Sequence, residues 1–434
     1  MKRPRLLMLG FQFPPGRGSG VYRIRAWANH FARRGWDVRV ITVEPSYWEE
    51  ITGSPDRRLL ETVDSRVHLD YVKFPHEYLK QDHKSMSWLH ANFAPAYLKF
   101  WRSMPQRMFP EVYGHLYPLM AAKAIAIGSR WRPDVVLASG NPYAQYASAW
   151  AAGRALRVPY VVDYHDPWTL DLWTEQDAFP PDHAAWKWER RILDHAALTV
   201  TVNRPLVQWY QQRYPEIAGR VRLVELGFDD TVVTDPGFVP RAIDEPLHFG
   251  FVGTIRQDLP LEEFLDGWAL ARQEPEMRDA LMTFYGYLGF FQQHAKSIEA
   301  RLMRSAPEGI EYGGPVSQTD LSATYAELDA LAMLLTSSRF VTAGKGYDYM
   351  ASGRPVVGVH DPRNHTTEVF KPYPLFFGAQ TVDAQGVRDA LIAAARAARE
   401  QTKEQYDACR AEAMRHTWDE AIEPVAAEIE SWRS

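Results

Sequence analysis

Apolar residues recur along this chain in two alternating rhythms, short continuous runs and stripes at helical spacing, which predict strands followed by helices. Arg5–Leu9 reads as a strand, followed by the loop Phe13-Pro14-Pro15-Gly16-Arg17-Gly18-Ser19-Gly20. Val21, Ile24, Ala28 and Phe31 then share one helical face until Gly35 stops the helix, and Val38–Val43 is the next strand. This is a βαβ unit with glycines in its first turn. Residues 45–130 break the rhythm. It returns with strands over 134–139, 160–163, 198–202 and 221–225, and helices over 144–156, 186–194 and 205–214. Asp230 to Pro246 is rich in Asp, Pro and Thr, lacks periodicity and reads as a linker. Beyond it, strands are predicted over 248–252, 282–285, 310–312 and 331–335, with helices from Leu261, over 383–400 and over 419–432.

Such alternation specifies an α/β class with parallel sheets. The 434 residues exceed the ~250–300 at which single cores stop growing, so two domains are expected. A net charge of −5, from 49 Lys and Arg against 54 Asp and Glu, argues against a general nucleic-acid binder. The single Cys409 leaves no internal disulfide or cysteine-based zinc site, and it fits a reducing cytoplasm. MKRPRLLMLGFQFPPG has too few apolar residues before its Pro pair for a signal segment, and no window reads as a spanning helix. Charge matters most between Val72 and Phe109, where six Lys or Arg stand against two acids with Trp88, Phe93, Tyr97, Phe100, Trp101 and Phe109 interleaved. That mixture suits helices packed on a sheet, an acceptor-pocket wall, or peripheral contact with a membrane surface.

The densest candidate chemistry lies in Leu334–Val359, LLTSSRFVTAGKGYDYMASGRPVVGV. A strand ending in a Gly turn that opens a helix offers backbone N–H groups and a positive dipole end to a phosphate, here from Ala343 and Gly344. Lys345 and Asp348 fall one helical turn apart, so an ammonium can meet a diphosphate while a carboxylate accepts from a vicinal diol. That combination suits a sugar nucleotide.

The run TAGKGYDYMASGRPVV resembles the donor-binding helix of retaining GT-B glycosyltransferases of the family 4 type, the glycosyl transferases group 1. Better-known members carry two glutamates separated by seven residues. Asp348 stands at the second position and Phe340 at the first. Other stretches are similar in the family's order. They are the glycine loop with Gly18, Ser19 and Gly20, then VVDYHDPW, Leu226-Gly227-Phe228-Asp229 with Leu226 for the usual Asn, and Gly253-Thr254-Ile255-Arg256. Gly313-Gly314-Pro315-Val316 is similar to the turn whose backbone reads the nucleobase.

The resemblance implies a GT-B fold, two Rossmann-like domains with parallel sheets facing a central cleft. Residues 1–229 would bind the acceptor, 230–246 would link, 247–415 would bind the nucleotide sugar, and 416–434 would form a helix crossing back. It implies donor binding by Gly18, Ser19, Gly20, Gly253, Thr254, Arg256, Pro315, Val316, Ala343, Gly344, Lys345 and Asp348, and transfer with retention to a small-molecule or lipid-linked acceptor.

The catalytic candidates are His165, Asp166 and Lys345. A neighbouring His and Asp can hold an acceptor hydroxyl or shuttle its proton, although Asp166 can equally cap the next segment. Lys345 and Arg256 would stabilise charge on the departing phosphate. No Asp-x-Asp triplet occurs, so no metal and no cofactor besides the donor are expected. Three other readings stand beside this one: a nucleotide-sugar epimerase of the same architecture, a non-catalytic nucleotide-sugar-binding relative, and a dinucleotide site. The last would use Gly16, Gly18, Gly20 and Glu44, but Val21 takes the place of the third fingerprint glycine.

Overall fold

The computed structural model describes residues 3–52, 55–80, 86–240, 245–289, 292–336 and 338–433. The chain divides into two compact units, residues 1–225 with 422–434 and residues 226–421.

The first unit runs β1 (Arg5–Leu9), α1 (Ser19–Arg33), β2 (Asp37–Val43), α2 (Pro45–Thr52), β3 (Val67–Val72), α3 (Trp88–Asn92), α4 (Ala94–Met108) and α5 (Leu116–Trp131). It continues with β4 (Val135–Ser139), α6 (Ala144–Leu156), β5 (Tyr160–Tyr164), α7 (Ala184–His195), β6 (Leu198–Thr201), α8 (Arg204–Arg213) and β7 (Val221–Leu223). The strands form one parallel sheet in the order β3-β2-β1-β4-β5-β6-β7. β4, β5 and β6 are buried along their whole length, as continuous apolar runs covered on both faces must be. Gly35 ends α1 at φ 85°, a conformation a side chain would strain. β3 was invisible to periodicity because its sequence, VHLDYV, belongs to an edge strand that buries only its last residue.

The second unit contains β8 (His248–Val252), α9 (Leu261–Ala271), β9 (Leu281–Tyr285), α10 (Gln292–Arg304), β10 (Ile310–Gly314), α11 (Leu321–Ala326), β11 (Ala330–Leu334) and α12 (Gly344–Ala351). It goes on through β12 (Val356–Val359), α13 (His365–Phe370), β13 (Phe376–Gly378), α14 (Ala384–Glu400) and α15 (Lys403–Ala413). α16 (Trp418–Ser431) follows, and from Ile422 the chain counts with the first unit. The second sheet is also parallel, in the order β10-β9-β8-β11-β12-β13.

The division falls before Leu226, so Leu226-Gly227-Phe228-Asp229 belongs to the second unit rather than closing the first. Phe228 pairs its backbone with His416 and Trp418 and is buried beside Val233. The stretch read as a linker carries no helix or strand among its described residues, and Val233 packs it onto the second unit. Residues 241–244 lie outside the described ones.

Candidate functional site

Each sheet reverses its strand order once, between β1 and β4 in the first unit and between β8 and β11 in the second. The crevice beyond the carboxyl ends of such a strand pair is where open α/β sheets take ligands.

At the first reversal, the end of β5 sets the chemistry. Asp163 interrupts an apolar strand and is fully buried, and Ser139 is its register partner on β4. Arg23 on α1, itself buried, reaches the carboxylate through Nε (2.9 and 3.1 Å) and Nη2 (2.7 Å). Its Nη1 donates to the carbonyls of Val224 (2.8 Å) and Glu225 (3.1 Å). Trp27 Nε1 (2.9 Å) and Ser139 Oγ (2.5 Å) also donate to Asp163. Burial alone would raise the Asp163 pKa, but the Arg23 charge and hydrogen bonds from His165 and Arg23 hold it well below the ordinary carboxylate range.

This anchor orients His165. Its Nε2 lies 3.1 Å from Ser139 Oγ and 3.5 Å from Asp163 Oδ2. Because Ser139 Oγ spends its proton on Asp163, it can only accept from the ring, which assigns the proton to Nε2 and leaves Nδ1 as the acceptor of the neutral imidazole. A Cβ at Gly20 would stand 3.2 Å from Nδ1, and one at Gly140 would stand 3.3 Å away, so two glycines keep that nitrogen's surroundings open. Gln12 borders the same niche, with Oε1 only 2.2 Å from a Cβ built on Gly20 and 3.7 Å from one on Gly18. Gly18 and Ser19 open α1 beside it, and no side chain caps that helix.

The structure therefore brings Gly18, Ser19, Gly20 and His165 together, and corrects the partner of His165. The ring hydrogen-bonds Ser139 and lies 3.5 Å from Asp163, two residues earlier on the strand, while the neighbouring Asp166 accepts from Asn141 Nδ2 at 2.9 Å. Alternation along a strand turns adjacent residues to opposite faces, whereas i and i+2 share one. Arg23, Trp27, Ser139 and Asp163 were missed by sequence reasoning. A charged residue inside the apolar run YVVDY was the available signal.

At the second reversal, α12 is fastened to the end of β8 by Tyr349, whose Oη accepts from Val252 N (2.8 Å) and donates to Val252 O (3.0 Å). Gly346 lets the helix approach closely, since a Cβ there would meet Phe370 at 2.7 Å and Met333 at 2.9 Å. Lys345 then lies beside Gly253, its Cγ 4.0 Å from where a Cβ would project.

Three expectations change here. β11 does not turn directly into the helix; residues 335–343 intervene, with Phe340 buried among them. Ala343 N donates to Thr366 Oγ1 at 3.4 Å, which leaves Gly344 as the first helical amide. Asp348 is buried and accepts from Lys345 Nζ at 3.1 Å, so the two groups expected to take different halves of a ligand pair with each other.

Thr254 is half-buried behind Gly253, while Arg256 makes a bidentate pair with Asp258 (2.8 and 2.9 Å). Pro315 and Val316 follow β10 at the sheet's edge, two strands from the reversal. A depression of about 600 Å³ lies beside this site, with Asp258, Glu263, Thr336, Asp361 and Gln380 among its lining residues. Among the described residues no group of three or more His, Cys, Asp or Glu is placed to hold a metal ion.

The model of the glycosyl transferase 4-like domain matches residues 18–227. No curated protein sequence matches the chain. Among solved structures, a sucrose-phosphate synthase from Thermosynechococcus elongatus is 15% identical with a TM-score of 0.65, and the match covers 99% of both chains. A glycosyltransferase from Rickettsia africae is 10% identical with a TM-score of 0.66, again over 99% of both. HepE of Anabaena, solved in complex with UDP and glucose, is 16% identical with a TM-score of 0.62 over 98% of this chain and 99% of that one. At such identities the likeness establishes the fold. Residues 18–227 match the glycosyl transferase 4-like domain, and the two-sheet architecture shared end to end with these structures is the GT-B fold.

Proposed function

We propose that the protein moves a sugar from a nucleoside-diphosphate sugar to a hydroxyl acceptor, small or lipid-linked, with retention of anomeric configuration and without a metal. The observation that carries this reading is the second strand reversal, where Lys345 stands beside Gly253 at the carboxyl ends of β8 and β11. HepE, with the same fold, was solved with UDP and glucose. Lys345 would meet the diphosphate with the amides of Thr254 and Gly344, and it would stabilise the charge that grows as the sugar departs. Asp348 would hold Lys345 in place, and Pro315 and Val316 would face the nucleobase. Arg256 would join the diphosphate by exchanging its partner Asp258.

In the first unit, His165 Nδ1 would accept from a substrate hydroxyl in the niche beside Gly18, Ser19 and Gly20, with Asp166 at its rim. The absence of an Asp-x-Asp triplet supports metal independence, and the single cysteine supports a cytoplasmic setting. Peripheral contact with a membrane through residues 72–109 belongs to the same reading.

The test is incubation with a panel of nucleotide sugars, with and without acceptors, in excess chelator. Slow hydrolysis that becomes transfer when an acceptor is added, with the anomeric configuration kept, is the expected result. Conversion of donor alone into an epimer would overturn it. Turnover lost to chelator and restored by magnesium or manganese would remove the metal-independent part.

A further inference from the structure

α4 is apolar on two faces, and only one of them is explained by packing. Toward the first unit, Trp101 stacks on Tyr78 (centroids 6.1 Å apart), Tyr97 stacks on His90 (4.8 Å), and Pro105 is buried. The other face carries Phe93, Ala96 and Phe100, spaced i, i+3 and i+7, and continues into α3 with Trp88 and Leu89. These side chains stand in solvent: Trp88 is 70% exposed, Leu89 56%, Phe93 54% and Phe100 58%. Trp88 and Phe93 touch edge to face (5.7 Å), so the patch is continuous across the two helices. A contiguous exposed aromatic surface of this kind marks an interaction site.

Charge selects the occupant. From His83 to Pro110 the sequence holds no Asp or Glu but has Lys84, Lys99, Arg102 and Arg107, in a chain whose net charge is −5. Lys99 and Arg107 are exposed on α4 beside the aromatic stripe. Rings at the depth of the headgroups with cations around them are how an interfacial helix binds an anionic bilayer. A protein partner would require no such local exclusion of acids. No helix among the described residues is long and apolar enough to cross a membrane, so attachment here would be by lying on the surface.

We infer that the outer face of α3 and α4 docks the protein on an anionic lipid surface, with Trp88, Leu89, Phe93 and Phe100 entering the interface and Lys99 and Arg107 meeting headgroup phosphates. This deepens the transferase proposal by placing the acceptor in the lipid phase, and rests on that proposal for its purpose alone.

The experiment is flotation with vesicles of equimolar phosphatidylglycerol and phosphatidylcholine against vesicles of phosphatidylcholine alone. The wild type should float with the anionic vesicles, and less so as salt rises. Phe93→Ser with Phe100→Ser should weaken binding by roughly tenfold for each ring removed, with an unchanged melting temperature because both side chains are exposed. Lys99→Gln with Arg107→Gln should abolish the preference for anionic vesicles while leaving the fold intact. Failure of the wild type to float at low salt, or equal flotation of the Phe variant, would overturn the inference. So would a wild type that is dimeric by sedimentation while the Phe variant is monomeric, since a second copy would then cover the face. Titration of a nucleoside diphosphate without vesicles reads the transferase proposal separately.

Discussion

The two strand reversals share a topology and differ in how they hold charge. In the first unit, a fully buried carboxylate on β5 is surrounded by Arg23, Trp27, Ser139 and His165, and the guanidinium goes on to the backbone of Val224 and Glu225. In the second unit, a half-exposed Lys345 rests against Asp348 on a helix of eight residues, which Tyr349 ties to β8. The first is a framework that presents one imidazole nitrogen. The second presents an ammonium near solvent, ready for a partner that brings its own negative charge. Under the proposed function, a reacting group that must be aimed has a buried aiming device, whereas a strongly anionic ligand needs only backbone and one cation.

The largest effect that could break this contrast is on stability. Asp163→Leu leaves Arg23 buried without its carboxylate and should destabilise the protein by ~3–5 kcal/mol. Asp348→Ala removes a partner from an exposed lysine and should cost ~1 kcal/mol or less. Denaturant unfolding of both variants checks this; similar losses would mean that the two reversals are not built differently.

A second buried carboxyl sharpens the picture of the first unit. Glu189 is fully buried, accepting from Thr169 and from Tyr214 Oη (2.5 Å), and burial pushes its pKa up to about 7. A folded pKa above the unfolded 4.5 means stability that is complete below that value and lost as pH rises through about 7. The loss should approach ~3 kcal/mol at most. Melting temperatures across this window should fall for the wild type, and Glu189→Gln should make the fall about half as steep, because burial raises Glu111 to about 7 as well. Parallel curves would show that Glu189 is not the group responsible.

At the second reversal, Lys345→Ala should weaken a nucleoside diphosphate by roughly ten- to a hundredfold, since hydrogen bonds to a charged group contribute ~1.5–3 kcal/mol. Asp348→Ala should weaken a ribose ligand and its 2′,3′-dideoxy analogue alike, because it acts through Lys345. Calorimetry of both ligands decides: a loss confined to the ribose ligand would return Asp348 to the diol role its spacing first suggested.

The smallest expected effect on function is at Gly20. An alanine there displaces the movable end of Gln12 and narrows the space before His165 Nδ1, so turnover should fall about tenfold, ~1.4 kcal/mol. Stability should be unchanged or slightly raised, since alanine favours a helix. Kinetics and melting of the same variant check both halves, and undiminished turnover would move the substrate away from this niche.

Local periodicity was enough for most of the elements. Ala144–Leu156 and His248–Val252 have the limits their patterns predict, and Gly35 ends its helix at a φ of 85° that favours glycine. The same reading placed His165 and Gly253 at strand ends, because a strand's carboxyl end in a βα unit is legible from where the apolar run stops, and Lys345 in the first turn of its helix. What the chain alone determined was therefore the class of fold and the addresses of the candidate residues. Which strands lie side by side was decided only in the folded molecule, and with it the partners of those residues. Arg23 and Asp163 are 140 positions apart and meet because α1 and β5 converge where β1 joins β4. Lys345 captured Asp348 because burial of the carboxylate demands the nearest cation, and the outward rings of α4 can be told from its inward ones only once the first unit has covered one face. A backbone's period is set by neighbours in sequence; a buried charge is satisfied by neighbours in space.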